Sequence, residues 1–179
     1  EVHDLSVNPL VRLHVVEVSE PSMHEPVSDL RRMLEELEFE WGLTDLECDP
    51  HVLMALQGVL RDGQWQVTVA VFREREIVAI WPGYHETALG MAFNIGSTTI
   101  AAHLVDLASG EALASAGRMN PQIRFGEDLM SRVSYVMMHP GAEQQMCEAV
   151  RTAVAELIGE VCTESDQSPD NILDCTFVG

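Results

Sequence analysis

The sequence predicts a mixed α+β / α/β protein in which a small α+β domain is followed by a β-β-β-α-α-β unit. Apolar residues alternate with a period of two in some segments and recur every three or four residues in others. Proline and glycine separate these segments, and three consecutive strands begin near residue 89. We therefore predict an extended segment with one strand over residues 1–30, an α+β domain over 31–88 and a second domain over 89–179.

The first strand and the first helix follow from the spacing of apolar residues. Alternating apolar residues from Val11 to Val18 predict a strand, and Leu30 to Trp41 carry an apolar stripe with helical spacing. Ser28 or Asp29 can cap the start of this helix, and Gly42 stands where a left-handed C-terminal cap is expected.

The rest of the first domain is predicted to be a helix and a hairpin. Asp49 can cap a helix that begins at Pro50 and carries an apolar stripe to Leu60. Trp65–Val71 alternate as in a half-buried strand, and Ile77–Trp81 form the next strand. No residues here have catalytic spacing, so a structural or docking role is favoured for this domain.

The second domain has a different order of elements. The predicted elements are strands over 89–95, 100–107 and 111–118, helices over 127–138 and 142–162, and a final strand over 171–178. The acidic residues at 127 and 128 are placed in the first turn of a helix, where the helix dipole favours them.

The charge of the chain excludes several classes of site and partner. There are 10 Lys+Arg against 29 Asp+Glu, the formal net charge is -19, and every basic residue is Arg. Schiff-base, pyridoxal-phosphate and P-loop sites are excluded because each needs a lysine. A strongly negative chain repels phosphate backbones and anionic lipids, so we expect neither a nucleic-acid partner nor a membrane partner.

The cysteines and histidines do not predict a metal site. No two cysteines have the C-x-x-C spacing of a zinc or iron–sulfur loop, and the seven histidines form no metal-binding pair. Four dispersed cysteines in a chain of this length are typical of free thiols in a reducing compartment, so we expect a cytoplasmic location.

One turn has the composition of a phosphate site. Gly96-Ser97-Thr98-Thr99 joins two predicted strands and offers backbone N–H groups and three hydroxyls. Short donors on a glycine-containing turn can surround a phosphate where no lysine is available. An ordinary glycine-containing hairpin explains the same residues, and their spacing alone favours it.

A family resemblance supports the phosphate interpretation. Asn94–Thr99 and the strand after it resemble the first phosphate-binding hairpin of the acetate/sugar-kinase, heat-shock-ATPase and actin superfamily. Asn120–Asp128, followed by Ser131-Arg132, resembles more specifically the ATP-dependent reductive activators of corrinoid enzymes. The resemblance covers most of the chain. It implies a linker over 1–30, a middle domain over 31–88, and the start of a ribonuclease-H-like, actin-like ATPase domain over 89–179.

The resemblance also implies an activity. Members of this family use ATP to drive an electron from a [2Fe-2S] cluster onto the inactive Co(II) corrinoid of a methyltransferase system, which regenerates Co(I). The expected partners are a corrinoid protein or corrinoid-dependent methyltransferase and a second copy of the chain. Mg-ATP and the cluster are implied for the full-length protein. The cluster cysteines are missing here, and the second phosphate loop is expected beyond Gly179, so we expect this chain alone to hold no cofactor and to bind ATP weakly or not at all.

The site residues are implied by the same resemblance. Nucleotide or phosphate binding is expected of the turn and its neighbours: Asn94, Gly96, Ser97, Thr98, Thr99 and Arg124. Asn120 and Gln122 are expected to line the cleft, and Glu127 or Asp128 to orient water or metal in catalysis.

Some of these positions have other interpretations. Asn94 stands where the family usually has Asp, and its amide brings no negative charge to a Mg²⁺ hydration shell. Glu127 and Asp128 also suit helix capping, and Arg124 can form an ion pair with Glu127. A small-molecule kinase of the same superfamily and a non-catalytic dimerisation or docking module remain alternatives. The Asn120–Asp128 stretch argues against the kinase, whereas Asn94 favours the non-catalytic module, which is the description we expect for this chain alone.

Overall fold

Two hydrophobic cores divide the chain between Ala88 and Leu89. The structure is a computed structural model that describes residues 8–24 and 26–179. Each unit, as described, contains one four-stranded sheet and two α-helices, as the alternation of strand and helix patterns predicts.

The first unit is a mixed sheet covered by two helices. Its elements are β1 Val11–Glu17, α1 Asp29–Trp41, β2 Glu47–Cys48, α2 Pro50–Asp62, β3 Gln66–Phe72 and β4 Glu76–Pro82. The strand order is β1-β3-β4-β2, and only the short β2 is parallel to its neighbour. A two-residue strand lies below the length at which sequence periodicity can be recognised, and the sequence did not predict it.

The two helices of this unit begin and end as their capping residues predict. The Ser28 hydroxyl accepts a hydrogen bond from the Arg31 amide, and Gly42 adopts the left-handed conformation with φ 70°. The Asp49 carboxylate accepts from the His51 amide at 2.7 Å, one residue before the helix starts at Pro50. Local hydrogen bonding therefore fixes both helix starts before tertiary packing contributes.

The prediction that β3 is half-buried was wrong. Every residue from Val67 to Val71 is buried, so both faces of the strand are covered. The Thr68 hydroxyl donates to the Gly83 carbonyl at 2.7 Å and accepts from the His85 amide at 2.9 Å. The segment after β4 thus folds over the second face, which the alternation of the strand itself cannot reveal.

The second unit has the predicted order of three strands, two helices and a strand. Its elements are β5 Leu89–Ile95, β6 Thr99–Asp106, β7 Ala112–Met119, α3 Leu129–Met138, α4 Ala142–Glu164 and β8 Ile172–Val178, with short 3-10 turns at Pro121–Phe125 and Pro169–Asn171. The strand order is β7-β6-β5-β8, with β5 and β8 parallel and the other pairs antiparallel. The predicted fold class is confirmed.

One helix begins later than predicted. The helix expected from residue 127 starts at Leu129, because Asp128 is its N-cap in extended conformation. The cap is a reciprocal pair in which the Asp128 carboxylate accepts from the Ser131 amide and the Ser131 hydroxyl accepts from the Asp128 amide. The two acids therefore precede the helix instead of forming its first turn.

The second unit packs α4 against its sheet, and the candidate site lies at one edge of that sheet. Leu157 and Val161 of α4 are fully buried in the cluster that contains Leu89, Phe93 and Leu104 of the sheet. Because β5 and β8 are parallel and Asn94 pairs with Val178, both strands end at the same edge of the sheet. The β5–β6 turn lies at this edge.

Candidate phosphate-binding site

The β5–β6 turn is short and exposed. The Gly96 amide donates to the Thr99 carbonyl at 2.9 Å, which closes the hairpin around Ser97 and Thr98. Ser97, Thr98 and Thr99 are all exposed, so their hydroxyl groups are accessible to a ligand. The four consecutive residues predicted to bind phosphate thus form one short turn.

Two buried side chains hold the carbonyl groups of the turn. Asn120, which is 1% exposed, donates from Nδ2 to the Gly96 carbonyl at 2.8 Å, and its backbone amide donates to the Thr98 carbonyl at 2.8 Å. Arg132, which is 9% exposed, donates from its guanidinium to the Ser97 carbonyl. Three successive carbonyls are therefore bound from the protein side.

The direction of the amides follows from these three bonds. In a trans peptide the carbonyl and the following N–H point in opposite directions, and the described residues contain no cis peptide. Carbonyls held inward at Gly96, Ser97 and Thr98 turn the next amides, those of Ser97, Thr98 and Thr99, away from Asn120 and Arg132. Within the described part of the chain the Ser97 and Thr98 amides have no backbone acceptor, whereas the Thr99 amide lies in β6 on the same side as the Thr99 carbonyl and faces Gly96 across the hairpin. Consecutive free N–H groups of this kind can bind an anion.

Gly96 contributes differently from the prediction. Its own amide is already bonded to Thr99, so the outward donors belong to the residues after it. A β-carbon at Gly96 would lie 3.0 Å from the Thr99 carbonyl oxygen, closer than an ordinary contact. Glycine is therefore favoured here by the close approach of the two hairpin strands.

Asn94 lies at the same edge of the sheet as the turn. It is exposed near the end of β5 and is flanked by Ala101 of β6 and Val178 of β8. Among the described residues its side-chain amide has no hydrogen-bond partner, so it is free to bind a water or a ligand oxygen.

The predicted cleft residues support the turn from behind. The Asn120 side chain also caps the 3-10 turn by accepting from the Gln122 amide at 2.9 Å. The Gln122 Oε1 accepts from Arg132 at 3.1 Å, and its Nε2 donates to the Met146 carbonyl at 3.2 Å. Asn120 and Gln122 therefore connect the turn to Arg132 and to α4.

Arg132 was not predicted as a site residue. Its Nε donates to the Gly126 carbonyl at 2.9 Å, which makes Gly126, Gln122 and Ser97 its three acceptors. The only signal in the sequence was its place in the segment after Asp128, where a basic residue among apolar ones gives no indication of burial.

Arg124 lies away from the turn contacts. Its guanidinium stacks over the Phe125 ring at 4.7 Å, and it lines a groove of about 540 Å³ between β7 and α4 together with Arg118 and Glu156. Within the described ranges Arg124 forms no ion pair, so the alternative pairing with Glu127 is not found. Its predicted role in phosphate binding has no support from the contacts of this unit.

The two predicted catalytic acids differ in their surroundings. Asp128 caps α3, and the hydrogen bond from the Ser131 backbone amide is the main cause that lowers the pKa of its carboxyl group. Glu127 is exposed and has no hydrogen-bond partner among the described residues. The capping interpretation is thus realised for Asp128, and Glu127 remains available.

The described residues do not fit an iron–sulfur cluster. Cys48 lies on β2, Cys147 and Cys162 on α4, and Cys175 on β8. No group of three or more His, Cys, Asp or Glu residues in the described segments could hold a metal ion. Likewise, none of the helices described combines the length and hydropathy needed to cross a bilayer.

Comparison with known families decides the classification. The family model described as the RACo linker region matches residues 1–87, and the model described as the RACo middle region matches residues 89–179. The chain belongs to the RACo family. The two matches meet where the two hydrophobic cores separate. The middle region of the RACo family is therefore residues 89–179, whereas the middle domain expected from the sequence was residues 31–88.

Individual RACo relatives agree with this classification. The corrinoid activation enzyme RamQ of Eubacterium limosum is 33% identical over 90 residues, which are 50% of this chain and 15% of RamQ. A solved structure, the reductive activator for corrinoid, iron-sulfur protein, superposes with a TM-score of 0.82 at 28% identity over 99% of this chain and 29% of its own. The chain therefore spans less than a third of the length of either relative.

Proposed function

We propose that this chain is the linker and middle part of a protein that couples ATP hydrolysis to the reduction of a Co(II) corrinoid to Co(I). Membership of the RACo family and the names of both relatives support the corrinoid substrate. The single observation that carries the ATP assignment is the β5–β6 turn, where three carbonyls are held inward and the Ser97 and Thr98 amides face outward.

The proposed roles of the residues follow from their contacts. The amides of Ser97 and Thr98 and the hydroxyls of Ser97, Thr98 and Thr99 bind phosphate oxygens, and Gly96 keeps the two strands close enough to form the turn. Asn94 binds a water of the Mg²⁺ shell. Glu127 is our first candidate for orienting the attacking water, because its carboxylate forms no hydrogen bond among the described residues.

The remaining features of the activity lie outside the described residues. The electron comes from a donor that these cysteines do not form, and we propose that the rest of the nucleotide site is supplied by further residues such as those of the longer relatives. The partner is a corrinoid protein or corrinoid-dependent methyltransferase, and we propose a cytoplasmic homodimer.

Reduction of a corrinoid protein tests the proposal directly. The product of the open reading frame that encodes this chain is mixed with a Co(II) corrinoid protein and a chemical reductant, and the cobalt absorbance is followed. We expect Co(I) with Mg-ATP and none with a non-hydrolysable analogue. Reduction that does not depend on ATP contradicts the proposal, and a phosphorylated metabolite in place of Co(I) favours the kinase alternative.

Substitution of Gly96 tests the phosphate turn within that protein. In Gly96→Val the branched side chain presses on the Thr99 carbonyl beside the outward amides, so we expect ATP turnover to fall about 100-fold. Gly159→Val is the matched control, because an added β-carbon there has no neighbour within 4 Å. Both variants should keep the wild-type circular dichroism spectrum. Unchanged turnover in folded Gly96→Val removes the phosphate assignment.

A further inference from the structure

Helix α3 has an inverted distribution of polar and apolar residues. Arg132 is its one buried residue, whereas Leu129 and Met130 are each 70% exposed and Met137 is 81% exposed. Burying a guanidinium while leaving large apolar side chains in solvent is unfavourable, since the charge loses its hydration. The burial of this charge therefore requires an explanation from its contacts.

The contacts of Arg132 do not neutralise it. All three acceptors are uncharged: the carbonyls of Ser97 and Gly126 and the side-chain oxygen of Gln122. Among the described residues no carboxylate lies within ion-pair distance of it. The positive charge of Arg132 also lowers the pKa of the Asp128 carboxyl group, but it does so less than the hydrogen bonds of the helix cap do. A buried positive charge without a protein counterion attracts an anion from solution.

The shape of the guanidinium explains why this residue is an arginine. Its planar fork donates in three directions, and here it joins the turn at Ser97, the 3-10 turn at Gln122 and the loop at Gly126. A lysine ammonium supplies the charge but not this planar set of donors. The same group thus holds the position of the turn and sets its local charge.

We propose that Arg132 is the positioning residue of the phosphate turn. It holds the Ser97 carbonyl inward, which directs the Thr98 amide outward, and its unneutralised charge makes the turn selective for polyanionic phosphate. It acts through the Ser97 peptide and does not itself contact the phosphate. This inference rests on the proposed function, because it assumes that the turn binds phosphate.

The test is a titration of the product of the open reading frame that encodes this chain with inorganic triphosphate, followed by the ¹⁵N amide shifts of Ser97, Thr98 and Thr99. Arg132→Met removes the charge and the fork, and Arg132→Lys keeps the charge alone. Arg151→Met is the matched control, since Arg151 is exposed on α4 and its loss changes the net charge equally. Titrations are run at about 0.05 M salt, where the screening of charges is weak, and at about 1 M salt, where it is strong.

We expect saturable shifts at the three amides in the wild type and in Arg151→Met. Affinity should fall about tenfold in Arg132→Met at low salt, and the difference should shrink at high salt. Arg132→Lys should recover part of the affinity while the turn amides exchange faster with solvent. If Arg132→Met is not folded by its melting curve, the comparison of Arg132→Lys with the wild type decides the question.

The outcomes separate the two proposals. If the wild type binds triphosphate and both Arg132→Met and Arg132→Lys bind it with an affinity within about twofold of that of Arg151→Met, the role of Arg132 is overturned. The phosphate assignment of the turn would stand in that case. A loss of affinity that is the same at both salt concentrations and equal in the two variants shows a structural role only, and overturns the electrostatic one. Absence of any shift at the three amides of the wild type overturns the phosphate turn and the inference with it.

Discussion

His14 is a buried ionisable residue in the first unit, to which no chemistry is assigned. Its ring is 8% exposed, packs edge-on to Trp41 with 4.8 Å between ring centroids, and has no partner for either nitrogen among the described residues. Burial, helped by the charge of Arg12 and opposed by Glu74, lowers the pKa of the imidazole. Burial of His14 in the folded protein therefore favours the neutral imidazole over the protonated one.

This lowered pKa predicts a pH dependence of stability. The unfolded chain takes up a proton near the ordinary histidine pKa of about 6.5, whereas the folded chain does so only at lower pH. The contribution of His14 to the free energy of unfolding is therefore complete above about pH 6.5 and decreases as the pH falls from there towards the folded pKa.

Urea unfolding at two pH values on either side of this pKa measures the effect. We expect His14→Phe to lose less stability than the wild type on acidification, because it removes the titrating group. His103→Phe serves as the comparison, since His103 is exposed and bonded to Ser115 at 2.7 Å. Equal acid sensitivity of His14→Phe and the wild type would show that His14 does not titrate in this way.

At the scale of elements, the cap of α3 can be tested apart from catalysis. Asp128→Ala removes the bond to the Ser131 amide and should lower the free energy of unfolding by about 1 kcal/mol, whereas Asp128→Asn should stay within a few tenths because Asn caps nearly as well. Denaturant melts measure both. A loss of ATP turnover in Asp128→Asn at unchanged stability would assign the carboxylate a catalytic role that its capping bonds do not indicate.

The elements themselves were largely predictable from local signals. Apolar spacing and caps gave every helix and every strand of five or more residues, since these signals are local. The site was predictable only in part. The turn and Asn120 were found through the family resemblance, but the hydrogen bonds that direct the amides depend on residues 22 to 35 positions apart. Arg132 was missed because its burial reverses the amphipathic pattern of α3. Arg124 was chosen because it lies between a strand and a helix, where the resemblance places cleft residues, and because an arginine can bind phosphate bidentately.

At the scale of the whole molecule, the charge of the chain and the charge at the turn have opposite signs. The net charge of -19 disfavours any phosphate ligand at long range, and Arg132 provides a buried positive charge beside the free amides of Ser97 and Thr98. Screening by salt weakens the long-range repulsion more than the short-range attraction. Selectivity for phosphate must therefore arise within the turn, because the overall composition of the chain alone argues against a phosphate ligand.

Separate hydrophobic cores predict that the two units lose stability independently. Leu60 lies fully buried in the first core and Leu157 in the second, and neither core includes residues of the other unit. Leu60→Ala and Leu157→Ala should each cost about 2–5 kcal/mol in the unit that carries the substitution. Because additivity holds for sites that share no partners, the effect on the other unit should be small.

Native-state hydrogen exchange distinguishes the two units within one molecule. In Leu60→Ala the amides of β3 should lose protection while those of β5 and β6 keep it, and Leu157→Ala should give the reverse. The double variant should show the sum of both patterns. If either single substitution reduced protection equally in both sheets, the chain would unfold as one cooperative body. The stability of the phosphate turn would then depend on the linker region as well as on Asn120 and Arg132.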